Sequence, residues 1–151
     1  MKMPHPASLA HNAARFFTSL SPAPPAVDDE IWVDRHLTRR ERTLWIQLGN
    51  QDRRHSVAVA QRFAAARPRA GRAEIAGAIL HDVGKIECGL GTFGRVVATL
   101  VGPRTDRFRA YFQHEAIGAR MAAAVGSDPV TVELIDGRGP AAAELRSCDH
   151  A

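Results

Sequence analysis

An all-α fold of about six to eight helices with no sheet is what the sequence predicts, on three observations. Apolar residues make up 45% of the chain, many of them alanine, and recur at three- and four-residue intervals in one segment after another. Helix caps and Gly/Pro stops punctuate those segments. No stretch alternates apolar and polar residues as a half-buried strand would, and there is no internal repeat. At 151 residues the chain can bury one core without disulfide or metal staples, so a bound metal would be functional rather than structural.

The elements follow in order. Leu9, Ala13, Phe16, Phe17 and Leu20 share a helical spacing, and Ser21-Pro22-Ala23-Pro24-Pro25 then forbids continuation. Residues 1–26 are therefore read as an N-terminal helix plus Pro-rich linker, and 27–151 as the globular domain. Asp28 or Asp29 is expected to cap a short helix through Trp32. Thr38-Arg39-Arg40-Glu41 has the form of a capping box and opens a second helix to about Leu48, stopped by Gly49-Asn50. Trp32 and Trp45 are read as core anchors. A helix from Gln51 to about Arg67 aligns His55, Val59 and Phe63 on one face. Pro68 to Gly71 turns the chain into a helix from Arg72 to Val83, apolar nearly all round and therefore central. Its Gly77 and Ala78 would admit a close neighbour, expected to be the helix bearing His55, and Gly84 suits its C-terminal cap.

Beyond it, Gly89-Leu90-Gly91-Thr92-Phe93-Gly94 matches GxGxxG literally but follows a helix and not a strand, so it is read as a loop over a cleft and not as a dinucleotide fingerprint. A short helix through Val96 and Leu100 ends at Gly102-Pro103. Arg104, Arg107 and Arg109 alternate with Phe108, Tyr111 and Phe112. A solvated face with inward aromatics explains that stretch more simply than nucleic-acid binding, and nucleic acid is not the expected partner. His114, Ile117, Met121 and Val125 share the next helical face. Ser127-Asp128-Pro129 opens a helix through Ile135, and a last helix from about Ala141 sets Leu145 and Asp149 on one face.

Composition bounds the setting. No run approaches the length of a membrane span, and the N-terminus is a poor signal peptide, so a cytoplasmic protein is expected. Cys88 and Cys148 lack CxxC spacing and read as reduced packing thiols. The net charge is +4, and Lys2 and Lys85 are the only lysines. An arginine excess of this kind favours an anionic small molecule, or reflects coding composition alone.

The chemistry gathers at Leu80-His81-Asp82-Val83-Gly84-Lys85. A histidine and a carboxylate beside buried aliphatics are costly to desolvate unless a cation compensates them. The inward faces of the helices bearing His55 and His114 point toward the same core. The order His55, then His81-Asp82, then a late Asp149, all on helices, resembles the HD-domain metal-dependent phosphohydrolase superfamily over about residues 38–151. Asp52-Arg53-Arg54-His55-Ser56 is similar to that family's first-histidine helix, and Gln113 to Gly118 is similar to a later one. The doublet has the HDxGK form. It lacks the acidic residues that deoxynucleotide monophosphatases and alarmone hydrolases carry after it, and it lacks the further histidine pair of the two-metal phosphodiesterases.

The resemblance implies an HD-domain-like helical bundle with His55, His81, Asp82 and Asp149 as ligands of one divalent ion. A mixed N/O set suits Mn, Fe, Zn, Co or Ni. It further implies hydrolysis of a nucleotide or other small phosphoester by a metal-activated water, with Lys85 and Arg54 holding charge on the phosphoryl group and His114 as substrate contact or proton donor. Lys85, having donors only, is expected on phosphate rather than metal. His114 in place of Asp149 is the alternative closing ligand. A non-catalytic metal- or nucleotide-binding signalling module with a degenerate site is the alternative function.

Overall fold

The computed structural model describes residues 21–88 and 113–151. The expected N-terminal helix, the Gly89–Gly94 loop, the Val96–Val101 helix and the basic, aromatic stretch to Phe112 lie outside the described residues. Within them the chain forms eight helices and no strand: α1 Val27–His36, α2 Arg39–Trp45, α3 Asn50–Ala66, α4 Arg72–Ile79, α5 Lys85–Cys88, α6 His114–Ala124, α7 Pro129–Ile135 and α8 Ala142–Asp149. No helix among the described residues is long and apolar enough to cross a membrane.

Side-chain caps account for two of the helix starts. The Thr38 hydroxyl accepts from the Glu41 backbone N–H at 3.1 Å while Glu41 Oε2 accepts from the Thr38 N–H at 2.7 Å, a complete capping box. Asp128 accepts from the Val130 N–H at 2.8 Å, with Pro129 at the first helical position. At the start of α1, Ala26 is the cap residue and Asp28 and Asp29 sit inside the first turn, where their charge favours the helix dipole instead. Gly126 (φ 78°) closes α6: its N–H reaches the Ala123 carbonyl at 3.0 Å and the Ser127 N–H reaches that of Ala122 at 3.0 Å.

The core lies around α4, which packs against α3, α7 and α1. Trp45, Phe63, Ile79, Leu80 and Ile135 are its largest fully buried apolar side chains, each contributing roughly 1.5–3 kcal/mol through burial. Trp45 is an anchor as expected, with its indole N–H on Glu30 Oε2 at 3.1 Å, and Trp32 is half-buried, packed against the core with its ring tilted against His36. Glu30 also receives Arg53 at 2.9 Å, so that arginine belongs to the scaffold. A Cβ on Gly77 would sit 3.0 Å from Leu134 Cδ2: the close neighbour it admits is α7, not the helix bearing His55. Cys148 is buried, and burial together with Glu144 pushes its thiol pKa up, in keeping with a packing role.

Two features of the central segment differ from the sequence reading. The α-helix ends at Ile79, and residues 80–84 continue as tighter turns, with N–H to carbonyl bonds three residues apart from Val83 to Leu80 and from Lys85 to Asp82, both 3.0 Å. Gly84 is not a left-handed cap. It is the point where the chain touches α6: a Cβ there would lie 1.8 Å from the His114 carbonyl oxygen and 2.7 Å from the Gly118 nitrogen.

Candidate metal centre

Four segments bring the site together. His55 stands on α3 in line with the buried Val59 and Phe63, so the same stripe that seats the helix aims the imidazole inward while leaving its side chain 40% exposed. His81 and Asp82 project from the turns after α4, with side chains 9% and 2% exposed. His114 begins α6, and Asp149 ends α8. Ligand atoms of His55, His81 and Asp82 all lie within 4.8 Å of one another. Asp149 Oδ1 is 2.7 Å from His55 Nε2 and 3.5 Å from His81 Nε2, and Asp82 Oδ1 is 3.6 Å from both His81 Nε2 and His114 Nε2.

His55, His81 and Asp82 could hold a divalent ion, and His81 supplies the clearest reason. Its Nδ1 lies 2.8 Å from the Ala78 carbonyl, which can only accept, so Nδ1 carries a proton. Nε2 is buried and has no hydrogen-bond partner among the described residues. A buried nitrogen left in this way, with its tautomer fixed from behind, is the arrangement of a metal-ligating histidine. Two donors bound to one ion at about 2.1 Å lie roughly 3.0–3.5 Å apart. The 3.5 and 3.6 Å separations around His81 are near that range, whereas the 2.7 Å His55–Asp149 contact is a hydrogen bond that an ion would have to open.

The charges are mutually compensated. Burial alone would push the His81 imidazole down, but Asp82 and Asp149 outweigh it and hold its pKa above the ordinary histidine value. Burial would likewise raise Asp82, yet His81 and Lys85 pull it down to about 2. Burial would raise Asp149 as well, but its hydrogen bond to His55 and the nearby His81 imidazole hold it well below the usual carboxylate range.

The other expected residues divide. Lys85 Nζ is 2.6 Å from Asp82 Oδ2, so it orients an expected ligand from behind. Arg54 donates to the linker carbonyls of Ser21, at 2.7 Å, and Ala23, which straps residues 21–26 across the start of α3 and does not support a phosphate role. His114 is in the cluster, close enough to be a ligand or a neighbour of one. Asp149 ends α8, and Arg62 on α3 grips the preceding Cys148 carbonyl through Nε at 3.0 Å and NH2 at 2.8 Å, which pins that turn.

A cavity of about 180 Å³ opens beside His81, His114 and Asp149. Leu134, Ile135, Ala142 and Leu145 form its floor, and Glu115, Arg146 and His150 contribute its polar lining. None of these polar three was singled out in the sequence. Arg146 could have been, since it lies one helical turn before Asp149; Arg62 could not, because its partner is 86 residues away. Comparison with known proteins finds no matching family model, no similar curated protein and no similar solved structure.

Proposed function

We propose that this chain is a divalent-metal-dependent phosphohydrolase acting on a small phosphoester, with His55, His81, Asp82 and Asp149 as the ion's ligands. The reading is carried by the buried Nε2 of His81, which makes no hydrogen bond among the described residues while the Ala78 carbonyl holds the ring and Asp82 and Asp149 stand 3.6 and 3.5 Å away. When bound, the ion would polarise a phosphoryl oxygen and lower the pKa of a nucleophilic water. Asp82 is oriented by Lys85, whose charge also offsets that of the incoming phosphate. His114, with its side chain 24% exposed at the cavity wall, is suited to pass a proton at Nε2 to or from the leaving oxygen. The cytoplasm suits a protein with reduced thiols acting on small phosphoesters.

The alternative, a metal- or nucleotide-binding module with little turnover, draws support from Lys85, which faces Asp82 at 2.6 Å. Metal analysis of the purified protein, then reconstitution with Mn, Fe, Zn, Co or Ni against a phosphoester panel, separates the two. The hydrolase reading expects metal-dependent turnover that disappears in a folded Asp82→Ala protein. Stoichiometric metal with no turnover across the panel would favour the binding module. Full metal occupancy in Asp82→Ala would remove the proposed centre altogether.

A further inference from the structure

Resting on the hydrolase reading, we infer that the cavity beside the metal centre selects the leaving group, and that it is shaped for the phosphomonoester of a small, uncharged, hydroxylated alcohol. Three observations point there. The cavity, about 180 Å³, is below the roughly 300 Å³ at which pockets for drug-sized ligands begin, so it suits a phosphoryl group with a few carbons and not a nucleoside. Its floor of Leu134, Ile135, Ala142 and Leu145 matches the C–H face of such an alcohol.

The third observation is the polarity of its mouth. Glu115 and Arg146 flank Gly137: a Cβ there would lie 2.8 Å from Glu115 Oε2 and 3.5 Å from Arg146 NH1. Gly137 holds φ 71°, so glycine serves both the turn and the room for the two head groups. Arg146 NH1 is oriented by the Gly137 carbonyl at 3.1 Å. An acceptor-only carboxylate beside a donor-only guanidinium satisfies hydroxyl groups, which both donate and accept. A further anion on the leaving group would be drawn to Arg146 and repelled by Glu115, and a cation the reverse, so the pair gives neither charge a net preference. In the reaction, water oxygen bonds to phosphorus, the bond from phosphorus to the alcohol oxygen breaks, and one water proton ends on that alcohol while the other stays on the phosphate.

The test uses non-hydrolysable phosphonates on the manganese-loaded protein, so that it reads binding whether or not turnover occurs. Calorimetry should find 3,4-dihydroxybutylphosphonate bound about tenfold or more tightly than butylphosphonate, the yield of one or two charge-assisted hydrogen bonds. Arg146→Met and Glu115→Gln should each shrink that ratio, with metal content unaltered. A ratio near one in the parent, a ratio unmoved by both variants, or tighter binding of a nucleoside monophosphate would overturn the assignment. The expected preference without hydrolysis of any phosphoester would leave the cavity assignment standing and sink the hydrolase reading. Hydrolysis with no preference for hydroxyls would do the reverse.

Discussion

Replacing Gly84 by alanine should damage the site without touching a ligand. The new Cβ would meet the His114 carbonyl oxygen at 1.8 Å and the Gly118 nitrogen at 2.7 Å, and real Cβ contacts are essentially never under 3.0 Å. The turn bearing His81 and Asp82 must therefore move from the start of α6 by more than about 1 Å, and neither obstacle is a side chain that can rotate away. Overpacking of this kind costs about 1–3 kcal/mol, equivalent to a melting point lower by about 2–12 °C in a chain of this size. A misplacement near 1 Å also costs on the order of 100-fold in activity. Thermal unfolding and metal competition titration measure the two effects. Gly71→Ala is the control: Gly71 has nothing within 4 Å of an added Cβ, so the variant should keep parental metal affinity and lose no more than about 1 kcal/mol, from a poorer N-cap. Gly84→Asn separates close approach from a left-handed cap, since asparagine tolerates the latter and would clash here. Parental stability and metal affinity in Gly84→Ala, or rescue by Gly84→Asn, would refute the reasoning.

Other variants probe the centre directly. Asp149→Ala should weaken metal affinity by about 10-fold or more, while His114→Ala should mainly lower kcat by roughly 100-fold or more; the opposite ranking would make His114 the closing ligand. Lys85→Ala, by freeing Asp82 to turn, should reduce metal affinity by about 10-fold as well as impair turnover, and an unchanged metal titration would restore the view of Lys85 as a phosphate contact alone. Arg62→Ala should loosen the end of α8, so amide exchange at residues 145–150 should quicken while that of α4 stays slow; equal protection in parent and variant would show that Arg62 does not pin it. Asp82 titrates at about 2 in the folded chain against an ordinary 3.8, so its ionised form contributes stability present above about pH 4 and lost as the pH falls through 2. In metal-free protein this amounts to on the order of 2 kcal/mol, and urea melts should show a shallower acid decline for Asp82→Asn than for the parent. Parallel declines would count against it.

What was legible in the sequence is what short-range chemistry fixes. Thr38 and Glu41, or Asp128 and Pro129, meet within one helical turn, so their caps could be read directly. The His55, Val59, Phe63 stripe follows from helical spacing, and the adjacency of His81 and Asp82 announced their shared chemistry. Side-chain destinations across the fold could not be read this way. Arg53 and Arg54 are neighbours on one helix with similar surroundings in sequence, yet one joins Glu30 and the other the carbonyls of Ser21 and Ala23. Gly84 looks like a helix stop in any local reading; only the path of α6, more than 25 residues further on, makes it a contact point. Glu41 belongs to the capping box but is also fully buried against Arg72 at 3.1 Å, a pairing no local signal contains.

The pinning of α8 to α3 bears on the order in which the molecule assembles. His55 meets Asp149 across 94 residues and Arg62 meets the Cys148 carbonyl across 86, whereas α3 with α4 and α6 with α7 are neighbours in the chain. Loop-closure entropy delays distant pairings, so α8 is expected to dock after the pairs local in sequence have formed. The last element to arrive is also a natural first to leave, through a local opening far short of global unfolding. If the proposed centre holds an ion, its escape would then be timed by the undocking of α8 and not by the strength of its coordinate bonds alone.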